Sequence, residues 1–62
     1  MRILVNGTPR EVPSTCSLGA LVPHHAGVAA AVNGQVVRAS EWDRIQLSEG
    51  DAVEVLTAFQ GG

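Results

Sequence analysis

Short stretches of alternating apolar and polar residues run along the chain, and two Asn-Gly pairs punctuate them. Residues 2–5 (Arg-Ile-Leu-Val) lead into Asn6-Gly7, and residues 8–12 follow; residues 28–32 (Val-Ala-Ala-Ala-Val) lead into Asn33-Gly34, and residues 35–37 follow. Asn-Gly between apolar runs is a strong hairpin signal, because both residues tolerate the positive φ of a type I′ turn. The spacing therefore predicts two β-hairpins. Between them, residues 14–22 hold several hydroxyl side chains able to cap a helix, and Leu18, Leu21 and Val22 fall at i, i+3 and i+4 on one helical face. Gly19 weakens that helix and Pro23 should end or bend it, so a short helix is expected. Ser40-Glu41-Trp42-Asp43 is expected to cap one further helical turn. Gly50-Asp51 reads as a turn. Residues 52–57 read as a final strand, with Val53 and Val55 on one face and Glu54 on the other.

The element order is strand, strand, helix, strand, short strand, strand. That order describes an α+β roll in which a helix crosses one face of a sheet. At 62 residues the chain holds one domain. The expected division is a folded body over residues 1–57 and a tail over residues 58–62. An apolar content of 45% suffices for a core, and an aromatic content of 3% makes that core mostly aliphatic. A domain this small has little volume with which to wall off a deep pocket, which argues against an independent enzyme.

Charge and cysteine usage narrow the function further. The net charge is −2, Lys is absent, and Arg2, Arg10, Arg38 and Arg44 are scattered. Phosphate backbones and anionic membranes call for clustered cations, so neither nucleic acid nor a membrane is the expected partner. Cys16 is the only cysteine, which excludes an internal disulfide. The apolar run at the N-terminus is too short for a signal peptide or a membrane span, and a cytoplasmic location is expected.

The pattern stops after Thr57, leaving Ala58-Phe59-Gln60-Gly61-Gly62. A frayed end is the ordinary explanation of such a segment. The chemical alternative is that the Gly62 carboxylate is a working group. Two glycines pass through a channel too narrow for any side chain. Five extended residues reach about 17 Å, enough to carry a carboxylate into a partner's active site. A carboxylate ionised at neutral pH is a poor electrophile. It needs activation, as an acyl-adenylate from ATP, before a nucleophile such as a persulfide sulfur can attack.

The Val-Asn-Gly turns, the stretch from Ala31 through Arg38, Trp42, the stretch from Leu47 through Val55 with its Gly50-Asp51 turn, and the terminal Gly61-Gly62 together resemble the thiamine-biosynthesis sulfur carriers of bacteria. The resemblance covers essentially the whole chain. It implies a ubiquitin-like β-grasp fold: a mixed four- to five-stranded sheet, one short helix across one face, and a flexible C-terminal tail. It implies that the chain is a protein co-substrate, not an enzyme, and binds no cofactor. ATP would be used by a partner adenylyltransferase of the ThiF type, which activates Gly62. A cysteine-derived sulfur, supplied by a cysteine desulfurase or a rhodanese-like donor, would make the thiocarboxylate. Thiazole synthase would receive that sulfur. By the same resemblance Gly62 is the attachment point and Gly61 gives passage through the partners' channels. Gln60 and Phe59 belong to the segment expected to thread into the partners, with Phe59 either offered to a partner or folded back on the sheet edge. Three alternatives stay open: the small subunit of molybdopterin synthase, a ubiquitin-like protein modifier, and a β-grasp binding module whose Gly-Gly end is incidental.

Other residues carry weaker signals. Cys16 is either a sulfur donor or acceptor or a structural side chain, and His24-His25 either ligate a metal or sit in a solvated loop. No partner ligands stand near the histidines in sequence, and no metal site is expected. Trp42 is either a docking anchor or packed into the fold. If Ile3 and Val5 face the core, as Val53 and Val55 do, Leu4 and Leu56 point to the other sheet face. They would then form an apolar docking surface beside the tail.

Overall fold

The computed structural model describes residues 1–22 and 27–57. Both hairpins form. Strand β1 (Arg2–Val5) turns at Asn6-Gly7 into β2 (Thr8–Glu11), and β3 (Val28–Val32) turns at Asn33-Gly34 into β4 (Gln35–Val37). Asn6 and Asn33 both sit at φ 51°, with Gly7 at 83° and Gly34 at 84°. Positive φ at both central residues is the type I′ geometry that Asn-Gly supplies with little strain. The last strand is β5 (Ala52–Thr57).

The sheet has five strands in the order β2-β1-β5-β3-β4. The C-terminal strand thus lies in the middle, between the two hairpins. Leu4 pairs with Ala52 and Val5 with Val53 in a parallel ladder, whereas β3 runs antiparallel to β5 from Val32 opposite Val53 to Val28 opposite Thr57. Two local hairpins joined by one central strand give a mixed sheet, the β-grasp arrangement.

One face of the sheet is covered. Helix α1 (Leu18–Leu21) and a 3-10 helix (Ala39–Arg44) lie over it. Ile3, Cys16, Leu18, Val22, Ala30, Trp42, Leu47 and Val53 form the core, with Val5, Val28, Val32, Val37 and Val55 packed around it. The alternation expected in β5 holds: Val53 is buried, Val55 is partly buried, and Glu54 is exposed.

The helical layer holds the expected short helix and differs from expectation at one cap. Helix α1 spans four residues within the expected stretch 14–22. Its cap is Ser17, whose Oγ accepts a hydrogen bond from the Ala20 N–H at 3.1 Å. Just before it, Ser17 bridges to Gln46, Leu47 N–H donates to Cys16 O at 2.9 Å, and Leu18 N–H donates to Ile45 O at 2.8 Å. These long-range bonds hold the start of the segment extended, so the helix begins late. The difference is at the other end of the layer. The 3-10 helix begins after Arg38 with no side-chain cap, so Ser40 does not cap it. Of the two readings of Trp42, the packed one holds, and it is the largest buried side chain. Trp42 is 1% exposed, and its Nε1–H donates to Val37 O at 2.8 Å. The indole fills the space between helical layer and sheet while its one polar group is satisfied by β4.

Gly19 has a positive role as well. A Cβ at this position would collide with the Asp43 carboxylate and press on the Asp43 backbone. The glycine lets α1 and the 3-10 helix approach closely.

Candidate functional site

Phe59, Gln60, Gly61 and Gly62 lie outside the described residues, as do Pro23, His24 and His25. What the structure shows is the platform from which the tail departs: the two ends of β5 and the open sheet face.

The start of β5 is held by a network around Asp51. The Ser48 N–H donates to Asp51 Oδ2 at 2.8 Å, and Asp51 N–H returns a bond to Ser48 O at 3.0 Å. Gly50, at φ 85°, makes the turn, and its N–H donates to Arg2 O at 2.8 Å. The Asn33 carboxamide spans the gap to the second hairpin. Its Nδ2 donates to Asp51 Oδ1 at 3.1 Å, and its Oδ1 accepts from Ala52 N–H at 3.0 Å. The Gly-Asp pair therefore ties together β1, the β3–β4 turn and the start of the central strand.

The far end of β5 is held on one side by β3 and on the other by a side chain. Val55 N–H donates to Asn6 Oδ1 at 2.8 Å, and Asn6 Nδ2 donates to Val55 O at 3.3 Å. Sequence reading identified Asn6 and Asn33 only as turn residues. Their side-chain bonds cross 49 and 18 or 19 residues of chain and leave no local signal.

Leu4 and Leu56 both lie on the uncovered face, 38% and 66% exposed. They do not form the single spot expected of them. The parallel register sets Leu4 beside Ala52, and Leu56 sits four residues further along β5, opposite Ala29. At about 3.3 Å per residue the two are roughly 13 Å apart along the strand. Exposed Glu54 lies on the same face between their rows. The physical reason is that β1 ends opposite Val53, well short of the end of β5. The more exposed Val36, at 77%, lies on the same face through its pairing with Ala31.

Cys16 is buried, and its Sγ lies 3.5 Å from Ser17 O. Its place in the core favours the structural role. Trp42, also in the core, is packed and not offered as an anchor. An open cleft runs along β4, lined by Val32, Val36, Val37, Arg38, Glu41 and Ile45 among others. Among the described residues, no three His, Cys, Asp or Glu side chains gather into a metal-binding group. No helix among them is long and apolar enough to cross a membrane.

This arrangement, two hairpins gripping a central C-terminal strand under a thin helical layer, is that of the ubiquitin-like β-grasp proteins. Within that class the chain belongs to the ThiS family, whose model matches residues 3–62. It is similar to the crystal structure of the thiamine biosynthesis protein ThiS from Geobacter metallireducens, with 30% identity, full coverage of both chains and a TM-score of 0.82. The solution structure of a thiamine biosynthesis protein from the same organism aligns at 30% identity and a TM-score of 0.76, over all of this chain and 87% of that one. No curated protein sequence matches the chain.

Proposed function

We propose that this chain is a sulfur carrier in thiamine biosynthesis and that its reactive group is the Gly62 carboxylate. An ATP-dependent adenylyltransferase of the ThiF type forms the acyl-adenylate, releasing pyrophosphate. A persulfide sulfur, carried by a cysteine desulfurase or a rhodanese-like donor, attacks the carbonyl carbon and displaces AMP to give an acyl disulfide. A second thiol then attacks the donor-side sulfur, forming a new disulfide with the donor and releasing the thiocarboxylate, from which thiazole synthase takes the sulfur. The carrier contributes no catalytic side chain; it presents the carbonyl carbon. Membership of the ThiS family, through residue 62, carries this reading. It is supported by the five residues that follow the central strand and end in Gly61-Gly62. Gln60 and Phe59 extend the segment that partners would enclose. Leu4 and Leu56 remain candidate contacts as two separate points on the open face. Leu56, on the strand that carries the tail, is the stronger of them.

The test is intact-mass analysis after incubation with ATP, the adenylyltransferase and a sulfur source. Exchange of one oxygen for sulfur, located on Gly62, is the expected result. An unchanged mass under conditions that thiocarboxylate a known carrier would refute the proposal. Thiazole formation on adding thiazole synthase distinguishes this carrier from one serving molybdopterin synthase. In the same assay Leu56→Ser is expected to raise the KM for the carrier while leaving its circular dichroism unchanged. An unaltered KM removes Leu56 from the docking surface.

A further inference from the structure

Strand β5 outruns β1. Main-chain pairing on the β1 side ends with Val5 opposite Val53 and with Asn6 N–H donating to Val53 O at 2.8 Å. Pairing with β3 continues to Thr57. Because successive peptide groups of a strand point to opposite edges, Val55 presents its N–H and C=O to the β1 side. There the main chain has already turned away into Gly7. The Asn6 carboxamide takes the place of the missing strand: its Oδ1 accepts from Val55 N–H and its Nδ2 donates to Val55 O. A carboxamide carries one acceptor oxygen and an N–H donor, as a peptide unit does, so it lengthens the ladder by one step without further backbone.

We propose that Asn6 is a positioning residue for the carrier tail. Its side chain keeps β5 extended beyond the end of β1 and so sets the direction in which the chain leaves Thr57, seven residues from Val55 to Gly62. The inference rests on the reading of Gly62 as the group that partners activate. A strand gripped on both edges brings residues 55–57 to a partner already extended. One gripped on a single edge leaves residues 55–57 more backbone freedom, which entry into a partner's channel must then remove.

Asn33 supplies the internal control. It has the same φ of 51°, and its carboxamide also reaches β5, but at Ala52, the opposite end of the strand. Glycine tolerates this φ, so Asn6→Gly and Asn33→Gly each remove one side-chain clamp while leaving the turn in place.

The experiment measures amide hydrogen exchange on the two variants and their adenylation kinetics with the cognate adenylyltransferase. Similar melting temperatures are expected for both. Asn6→Gly should accelerate exchange at the Val55 amide about tenfold and raise the KM for the carrier about tenfold, with kcat little changed. Asn33→Gly should do neither. Asn6→Asp, which keeps the acceptor for Val55 N–H, should recover most of the exchange protection. Equal KM values in Asn6→Gly and the unaltered chain overturn the proposal, and so does an equal rise in both glycine variants, which would mark a general loss of stability. If the unaltered chain is not adenylated at all, the carrier reading falls by itself. A Val55 amide that exchanges no faster in Asn6→Gly overturns the clamp independently of any activity.

Discussion

The β1–β2 and β3–β4 hairpins share a turn down to the dihedral angles, and each sends an asparagine side chain to β5 from opposite sides. They differ in what holds their outer strand. Every residue of β2 is exposed, and the strand is fastened at its end by Met1 and Val12, whose main-chain N–H and C=O groups exchange bonds at 2.7 and 2.9 Å. An exposed Arg2–Glu11 pair at 2.9 Å adds to this. Strand β4 is tied to the interior, because Trp42 donates to Val37 O from within the core. One local code thus produces two hairpins of different dependence: the first hangs from its inner strand, and the second is pinned from the helical layer. The grip on β5 differs accordingly, at its start from the pinned hairpin and near its end from the hanging one.

Substitution at Trp42 should separate the two most strongly. Trp42→Ala is expected to cost about 3–5 kcal/mol, through lost burial and a cavity in a small core. Against a total stability on the order of 5 kcal/mol for so small a domain, that leaves a large unfolded fraction. Urea denaturation followed by circular dichroism checks it, and a loss below about 1 kcal/mol would show that β4 does not depend on the indole.

Gly19→Ala comes next. The new Cβ would meet the Asp43 carboxylate and backbone, wedging α1 away from the 3-10 helix that backs β4. Overpacking costs about 1–3 kcal/mol, and alanine's better helix propensity returns at most about 1 kcal/mol of it. The net effect is a lower urea midpoint; an unchanged or raised midpoint would show that the helices separate freely.

A smaller and symmetric effect is expected at the turns. Among the described residues none lies within 4 Å of where a Cβ on Gly7 or Gly34 would stand, so Gly7→Ala and Gly34→Ala carry only the cost of a positive φ, about 1–2 kcal/mol each. Equal losses confirm that the turns are equivalent and that the hairpins differ only in their attachments. Unequal losses in paired thermal melts would place part of the difference in the turns themselves.

The smallest effect belongs to the first hairpin's ion pair. Arg2→Ala should cost about 0.5 kcal/mol or less, since both side chains are well exposed, and added salt should shrink the difference. A loss that persists at high salt would mean that the Arg2 stem, not its charge, holds β2.

Much of this architecture was readable from local signals. A type I′ turn needs two adjacent residues, and β5 shows its alternation within four, so Asn6-Gly7, Asn33-Gly34 and Val53 to Val55 declared themselves. The start of the helix did not. The bonds that keep Cys16 and Ser17 extended come from Ile45 to Leu47, nearly thirty residues away. Gly19 looked like a weak helical residue because its reason, Asp43, lies across a packing interface. The Leu4–Leu56 pairing failed because a parallel register is set by the whole intervening chain and not by either strand. For the candidate site, the sequence marked Gly61 and Gly62 through their chemistry. Asn6 stayed hidden, since nothing near it distinguishes a turn asparagine from one that also completes a ladder.

The central position of β5 also bears on how the molecule assembles. Each hairpin joins neighbours in sequence and can close early, whereas Leu4 meets Ala52 only across 48 residues. Closing that long loop comes late and is entropically costly, so docking of the last strand is expected to limit the folding rate. Until it docks, each hairpin has an inner edge with unsatisfied peptide groups, open to strands of other chains. The same strand that presents the tail therefore also closes the window for aggregation, and refolding yield should fall with protein concentration more steeply than stability alone would suggest.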